Sequence, residues 1–293
     1  MARLKLSLVD LDKIDLVVKG LSNSRFMGSY ASVFKGRGLE FSNFRAFMPD
    51  DDANNIDWKT SARLNHPVVK EYIEERDIEV FFLIDVSSKM ITGSTPRLKC
   101  EYIADFVASL SHFVLKTGDK VGIGLFSDKM KGVIYPSGGV KHFYFISDML
   151  SNLSYYGGGC DIQKAINFAV SYLRRGAIVF LVSDFITNEN LDDVLRIAGQ
   201  KFDMIAVVVR DPVDFELPKG LGEVLVESPD SGEKMVVKPG KIAKYYGHEA
   251  KAQLKNIEKS FLKNRIALLE LNTGKSFTES LIRFFEKRRK LWR

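Results

Sequence analysis

The feature that most constrains the fold is an alternation of strand and helix patterns that begins near residue 78. The run IEVFFLID (78–85) is apolar almost throughout, as expected for a strand buried on both faces. Residues 97–116 repeat apolar side chains with a helical period, and AIVFLVSDF (177–185) is a second buried strand. Such an alternation predicts a parallel sheet that is covered by helices on both sides.

Further elements are predicted towards the edges of this sheet. The segments 120–127 and 130–136 look like two strands joined by a Ser-Asp turn, and the segments 222–228 and 234–240 resemble an edge hairpin. Residues 277–289 place apolar side chains on one helical face and predict a closing helix. Residues 78–293 are therefore expected to form one α/β domain.

Residues 1–77 do not follow this alternation. The stretch VFKGRGLEFSNFRAFMP (33–49) is rich in Phe and Gly, which favours twisted strands and turns. No low-complexity linker separates this part from the rest of the chain. We therefore predict a small amino-terminal β-rich lobe that packs on the α/β domain.

The positive charge of the chain is concentrated near its end. The sequence has 43 Lys and Arg against 37 Asp and Glu, a net charge of +6, and residues 283–293 alone contribute +5. Cations near the carboxyl end of a helix suit the helix dipole, so a solvated helix end explains this run. Contact with nucleic acid or with an anionic membrane is the alternative interpretation.

The compartment is predicted from the distribution of apolar residues and cysteines. The first twenty residues carry acidic side chains where a signal peptide needs an apolar run. No apolar run approaches the ~18 residues of a membrane-spanning helix. The two cysteines, Cys100 and Cys160, are too few for a disulfide framework. These features predict a cytoplasmic protein without a transmembrane segment.

Three polar turns are expected to meet at one edge of the sheet. Asp85 ends the first buried strand, Asp161 follows the glycine run 157–159 before a predicted helix, and Asp184 ends the second buried strand. In open α/β sheets, ligands bind in the crevice beyond the carboxyl ends of the strands, where the strand order reverses. The order of these turns therefore predicts a polar crevice.

This order of residues resembles the metal-ion-dependent adhesion site of von Willebrand A domains, a DxSxS turn followed by a Thr before a helix and an Asp after a later strand. Asp85, Ser87 and Asp184 match, whereas Lys89 stands at the second Ser and Cys160 at the Thr. The resemblance implies a von Willebrand A (Rossmann-like) fold. It also implies a Mg²⁺ or Mn²⁺ ion whose coordination is completed by an acidic residue of a protein partner.

Because two positions of the pattern are substituted, the sequence does not decide whether the crevice binds a metal ion. A thiol such as that of Cys160 is a poor replacement for a hydroxyl on Mg²⁺. The ammonium of Lys89 would repel the ion if it pointed inward, and it could instead neutralise Asp85 and Asp184 in a crevice without metal. In a third interpretation, the two aspartates and Ser87 only cap helices.

A second resemblance lies in the amino-terminal lobe. Residues 41–77 resemble the hallmark of an uncharacterised bacterial family, domain of unknown function fifty-eight, whose pattern is roughly FxxxRxYxPGDDxRxIDWxxxAR before a short strand and a DxSxS domain. The matching residues are Phe41, Arg45, Pro49, Asp51, Asp52, Ile56, Asp57, Trp58, Ala62 and Arg63.

The chemistry of this hallmark is predicted to be structural. Arg45 and Arg63 suit bidentate pairing with the aspartates, including Asp51 and Asp52. Asp57 or Thr60 could cap a short helix, and Trp58 is expected to be a large apolar anchor. The alternative is an acidic metal site formed by Asp50, Asp51, Asp52 and Asp57.

The resemblance also suggests a role. Members of this family are commonly found beside MoxR-type AAA+ ATPases, which implies a non-enzymatic, protein-binding adaptor or co-chaperone for such an ATPase. The sequence shows no Walker loop, no GxSxG and no second Asp of a DxDxT phosphotransferase motif. Binding of nucleic acid or an anionic membrane through the basic end is the alternative function, followed by a divalent-metal-dependent hydrolase.

Overall fold

The computed structural model describes residues 17–22, 30, 40–48, 51–52, 56–73, 78–187, 189–217, 220, 222–229 and 232–291. The strands are β1 Glu40–Ala46, β2 Val68–Ile73, β3 Glu79–Asp85, β4 Lys120–Phe126, β5 Met130–Ser137, β6 Ile178–Ser183, β7 Asp203–Arg210, β8 Val224–Glu227, β9 Lys234–Val237 and β10 Ala267–Asn272. The α-helices with more than one described turn are α1 Trp58–Leu64, α2 Lys99–Lys116, α3 Val140–Ser151, α4 Ile162–Tyr172, α5 Asp192–Lys201, α6 Pro239–Lys263 and α7 Phe277–Leu291.

A six-stranded sheet forms the centre of the molecule. Its strand order is β10-β7-β6-β3-β4-β5. Every neighbouring pair is parallel except β4 and β5, which are antiparallel as the sequence predicted. The predicted α/β class, a mostly parallel central sheet flanked by helices, is confirmed.

The sheet is covered on both faces because successive side chains of a strand point to opposite sides. In β3, Val80, Phe82 and Ile84 pack into one apolar cluster with α2, α3 and α7. Phe81 and Leu83 pack into a second cluster with α4, α5 and Phe261 of α6. This two-sided burial explains the unbroken apolar run from which the strand was predicted.

The amino-terminal part has two described components. Strands β1 and β2 form an antiparallel pair with helix α1 between them. Farther upstream, Val18, Leu21 and Tyr30 are buried in the same apolar cluster as α2 and α7. Residues well before position 78 thus contribute to the core of the α/β part. The division of the chain at residue 77 stays a prediction.

The hairpin prediction needs a correction. Strands β8 and β9 do pair antiparallel, but they form a separate two-stranded sheet and do not extend the edge of the main sheet. The edge beside β7 is already filled by β10, which follows later in the chain.

The basic end of the chain lies on a packed helix. The helix α7 buries Phe277, Leu281 and Phe285 in the core. Arg288 is also buried and forms an ion pair with Asp203 at the start of β7. Part of the basic run is therefore used inside the fold. Trp292 and Arg293 lie outside the described residues.

Candidate functional site

The crevice forms where the strand order reverses between β3 and β6. From β3 the chain moves to β4 on one side and later to β6 on the other, so the carboxyl ends of β3 and β6 open next to each other. Asp85 is the last residue of β3, and Asp184 directly follows β6. The two carboxylates lie close enough for Asp184 to act electrostatically on Asp85.

The loop before α4 is locked onto the turn after β3. Gly157 N donates to Val86 O at 2.7 Å, Ser88 N donates to Gly158 O at 2.9 Å, and Gly158 N donates to Ser88 Oγ at 3.0 Å. Gly157 and Gly158 have φ values of 111° and 92°, which L side chains rarely adopt. The glycine run is therefore needed for the approach that brings Cys160 to Asp85.

Asp85 is buried and surrounded by donors. Its Oδ1 accepts from Ser87 N at 2.9 Å, and its Oδ2 accepts from Ser183 Oγ at 2.6 Å and from Cys160 Sγ at 3.4 Å. Burial and the neighbouring Asp184 raise the pKa of Asp85 above its usual value of 3.8, although the serine hydrogen bonds oppose this shift. Both carboxylate oxygens are thus engaged by the protein.

Ser87 is buried immediately beyond this carboxylate. Its hydroxyl is near enough to Asp85 to lower the pKa of that carboxyl. Its Oγ nevertheless has no hydrogen-bond partner of suitable geometry within the described part of the chain. Ser87 is the one matching position of the motif whose side-chain oxygen is left for a ligand.

Asp184 is paired with a buried lysine that the sequence reasoning missed. Lys99 Nζ lies 3.1 Å from Asp184 Oδ2 and 3.1 Å from Asp214 Oδ2, and its side chain is 2% exposed. Burial acts to lower the pKa of Lys99, but the two carboxylates outweigh it and the net shift is upward. Lys99 therefore stays charged between the two aspartates.

A weak signal for Lys99 was present in the sequence. It is the first residue of α2, where a positive charge opposes the helix dipole and an acidic residue is favoured. A lysine at such a position indicates a partner elsewhere. Its partners could not be named, because Asp184 and Asp214 lie 85 and 115 residues away in the chain.

The turn after Asp184 is sharply bent. Phe185 adopts a φ of 51°, in the left-handed region that is unusual for a bulky residue. Its ring packs edge-on against Phe261, with 5.1 Å between the ring centroids, and this contact helps to hold the turn. The bend allows Asp184 Oδ1 to accept from Ile186 N at 2.9 Å and Ile186 O to accept from Lys89 Nζ at 2.7 Å.

Two other predicted positions behave differently. Burial and the neighbouring Asp85 raise the pKa of the Cys160 thiol well above its usual range. Asp161 caps α4, because its Oδ1 accepts from Lys164 N at 2.8 Å, and it forms an ion pair with Lys164 Nζ at 2.8 Å. Cys160 thus faces the crevice, whereas the contacts of Asp161 are directed to its own helix.

A cavity of about 730 Å³ opens above these residues. Its lining includes Lys89, Lys99, Asp184 and Glu189, and the tip of the β8–β9 hairpin contributes Ser228 and Pro229. The Oε2 atom of Glu189 is buried without a hydrogen-bond partner among the described residues. The cavity is therefore polar, carries charges of both signs and leaves at least one acceptor for a bound molecule.

The amino-terminal hallmark forms one well-defined ion pair. Arg45 Nη1 donates to Asp51 Oδ2 at 2.6 Å, and Arg45 Nη2 donates to Asp51 Oδ1 at 2.5 Å. Met48 N also donates to Asp51 Oδ2, at 2.8 Å. The Arg45 contact first, and then the Met48 amide, lower the pKa of Asp51 to about 2. The predicted bidentate pairing of Arg45 with an aspartate is confirmed.

Other predictions for the hallmark are only partly right. Asp57 caps α1 by accepting from Thr60 N at 2.9 Å. Trp58 was expected to be an apolar anchor, but its side chain is 69% exposed because it stands on the outer face of the first turn of α1. Arg63 is exposed and pairs with no acidic side chain in the described ranges. Asp50 lies outside the described residues.

The family of the chain follows from a match over most of its length. Residues 43–255 match the family described as "Protein of unknown function DUF58". The chain belongs to the DUF58 family. The matched segment contains the hallmark residues from Arg45 to Arg63, but not Phe41, and every residue named above as lining the cavity.

Several relatives and solved structures are similar to this DUF58 protein. The uncharacterized protein Rv1480 of Mycobacterium tuberculosis is 23% identical over 284 residues, which is 96% of this chain and 89% of that protein. The uncharacterized protein YeaD of Bacillus subtilis is 28% identical over 178 residues, which is 60% of this chain and 41% of YeaD.

Among solved structures, the conserved hypothetical protein BatB of Bacteroides thetaiotaomicron is 15% identical with a TM-score of 0.47. That match covers 73% of this chain and 99% of BatB. The SpRpn10 VWA domain is 12% identical with a TM-score of 0.41, over 71% of this chain and 94% of that domain.

The divalent ion that the adhesion-site resemblance implies does not fit this crevice. Both oxygens of Asp85 accept from protein donors, and Lys99 already binds Asp184 Oδ2. Within the described ranges, no group of three or more His, Cys, Asp or Glu side chains is arranged to hold a metal ion. Two side-chain oxygens, Ser87 Oγ and Glu189 Oε2, have no hydrogen-bond partner among the described residues, but they do not complete a ligand set with the engaged Asp85 and Asp184.

None of the helices in the described ranges combines the length and the apolar character that crossing a bilayer requires.

Proposed function

We propose that this DUF58 protein is a non-enzymatic adaptor that binds a protein partner in the crevice at the carboxyl edge of its sheet. The observation that carries this proposal is the polar cavity of about 730 Å³. It lies at the switch point of the strand order, the place where α/β sheets bind ligands.

The side chains of the crevice support binding over catalysis. Cys160 is the nucleophile of the cavity, but burial and Asp85 raise its pKa, so it stays a thiol at neutral pH and reacts poorly. Lys99 is held charged between two aspartates and cannot act as a base. Asp85 accepts three hydrogen bonds from the protein and is not directed at a substrate.

The polar groups at the mouth of the cavity suit a protein segment. Lys89 is partly exposed there and donates to a backbone carbonyl, and Glu189 keeps an unpartnered carboxylate oxygen. The hairpin tip at Ser228 and Pro229 forms another wall. A bound segment could exchange hydrogen bonds with these groups without disturbing the buried charges below.

The finer part of the proposal names the partner. We assign it to a MoxR-type AAA+ ATPase or to a client of such an ATPase, because the family hallmark in the lobe implies this association. The protein would then act as an adaptor or co-chaperone in the assembly or activation of other proteins.

The test is a binding measurement with a purified MoxR-type ATPase and a matched pair of charge reversals. Lys89→Glu changes the mouth of the crevice. Lys141→Glu makes the same change on α3, next to His142, whose ring contacts Val121 O at 2.7 Å at the amino-terminal edge of the sheet. We expect Lys89→Glu to weaken binding at least about tenfold, or about 1.4 kcal/mol, and Lys141→Glu to change it less than about twofold. Equal affinities of the two variants would place the interface elsewhere.

A further inference from the structure

The crevice contains more negative than positive groups in its buried layer. Asp85, Asp184 and Asp214 are 1%, 2% and 9% exposed. Lys99 contacts Asp184 and Asp214 directly, and the buried Arg210 acts on the same two carboxylates electrostatically. Buried carboxylates need a partner of opposite charge, because their desolvation is otherwise uncompensated. Either a bound cation or a side chain has to meet this need.

Lys99 occupies the position from which a cation would contact Asp184. Its Nζ lies 3.1 Å from Asp184 Oδ2, and the other oxygen of Asp184 accepts from Ile186 N at 2.9 Å. No carboxylate oxygen of Asp184 is therefore left without a partner. An incoming ion would have to displace an ammonium group that is also held by Asp214.

The carboxylate of Asp85 is closed to an ion in another way. Ser183 Oγ and Cys160 Sγ donate to its Oδ2, and Ser87 N donates to its Oδ1. The sulfur stands where a hydroxyl would be required for Mg²⁺, which prefers oxygen ligands. The carboxylate oxygens of Asp85 and Asp184 are thus all engaged by groups of the protein and are not available to an ion.

We infer that Lys99 is a permanent internal counter-ion that takes the place of a divalent metal in this crevice, so that the crevice works without metal. The ammonium supplies the positive charge that holds Asp184 and Asp214 together, and it does so without an open coordination position. For partner binding, this inference rests on the proposed function. For metal binding, it stands on the contacts of Lys99 alone.

The direct test is titration of the 293-residue protein with Mn²⁺, in which binding is measured by calorimetry and by the paramagnetic resonance signal of the ion. The wild-type protein is expected to show no saturable binding. The triple change Lys99→Ala, Lys89→Ser and Cys160→Thr restores the oxygen ligands and removes the internal cation. It is expected to bind Mn²⁺ saturably and to melt at a higher temperature when Mn²⁺ is present.

The matched control is the double variant Lys89→Ser with Cys160→Thr, which has the same oxygen ligands but keeps Lys99. It is expected to bind no Mn²⁺. Saturable binding by the wild-type protein that Asp184→Asn abolishes would overturn the inference, and so would binding by the double variant as tight as that of the triple. If the triple variant does not fold, the wild-type and double titrations still decide, since binding by either contradicts the role of Lys99.

A second measurement separates this inference from the proposed function. The complex with the nucleotide-free ATPase is expected to keep its affinity in excess chelator. Loss of the complex in chelator, with recovery in Mn²⁺, would contradict binding without metal while leaving the adaptor role intact. Failure to bind the ATPase in either condition would refute the proposed partner, and the Mn²⁺ titrations would still report on Lys99.

Discussion

The crevice and the amino-terminal lobe both pair aspartates with basic side chains, but they do so in different surroundings. In the crevice, the side chains of Lys99 and Asp184 are each 2% exposed and lie 3.1 Å apart. In the lobe, the side chains of Arg45 and Asp51 are 42% and 18% exposed and lie 2.5 Å apart. The pair with the shorter distance is the more exposed one, so water can compete for its hydrogen bonds.

This difference shows that distance alone does not rank ion pairs. Exposed pairs contribute little, because water and salt screen them and because ordering the side chains costs entropy. Removal of one member of a buried pair leaves an uncompensated charge, and the loss is several times larger. The crevice should therefore be sensitive to substitution, whereas the lobe should tolerate it.

The largest effect is expected from Lys99→Met. This change removes the ammonium that contacts the buried Asp184 and Asp214 and leaves them only the electrostatic attraction of Arg210, so it should lower the free energy of unfolding by about 3–5 kcal/mol. Urea denaturation would measure it. Lys89→Met is the control, because Lys89 is partly exposed and its bond to Ile186 O accounts for about 1 kcal/mol. An equal loss of unfolding free energy in the two variants would contradict the claim that the buried Lys99 contributes more to stability than the partly exposed Lys89.

A smaller loss is expected from Asp85→Ala. Three donors lose their acceptor in a buried site, which should cost about 1–3 kcal/mol in thermal or urea unfolding. The control is Ser87→Ala, two residues away and equally buried, whose Oγ has no hydrogen-bond partner of suitable geometry in the described ranges. It should change stability by less than about 0.5 kcal/mol. A larger loss in Ser87→Ala than in Asp85→Ala would contradict this assignment of the buried contacts.

In the lobe, the largest effect is expected from Asp57→Ala. The carboxylate caps α1 through Thr60 N, and loss of such a cap costs about 1 kcal/mol. Asp57→Asn should recover most of the loss, because Asn is also a good capping residue. Amide exchange in α1 is the measurement. An unchanged exchange rate in Asp57→Ala would show that the cap does not stabilise the helix.

The smallest effect on stability is expected from Arg45→Gln. The contact with Arg45 lowers the pKa of Asp51 to about 2, so its contribution is present above the usual 3.8 and is lost as the pH falls towards 2. Arg45→Gln should raise the pKa of Asp51 towards 3.8 in a carboxyl NMR titration. The melting temperature at neutral pH should hardly change. A large drop in melting temperature would show that the lobe depends on this pair after all.

The sheet and the meeting of Asp85, Ser87 and Asp184 could be predicted because they depend on local patterns. A strand that is buried on both faces has a continuous apolar run in its sequence, and the carboxyl ends of neighbouring parallel strands lie at the same edge of the sheet. Cys160 was assigned to this edge by its resemblance to the Thr of the adhesion-site pattern, and its Sγ lies 3.4 Å from Asp85 Oδ2.

The partner of Asp184 could not be predicted in this way. Lys99 looks like the first residue of an amphipathic helix, and only the folded chain brings it to Asp184 and Asp214. Two further predictions were wrong because the residue type or the local pattern does not determine what lies next to a segment in the folded protein. Trp58 is apolar but exposed, and the β8–β9 hairpin pairs with itself because β10 holds the sheet edge.

The burial of Tyr30 has a practical consequence for dividing the protein into fragments. Its hydroxyl donates to Asp119 Oδ2 at 3.0 Å, and its ring packs edge-on against Phe113 of α2, with 5.4 Å between the centroids. A fragment that begins at residue 78 would remove this contact together with Val18 and Leu21, and it would uncover apolar surface of α2 and α7. Such a fragment should therefore aggregate unless the first thirty residues are supplied as a separate peptide.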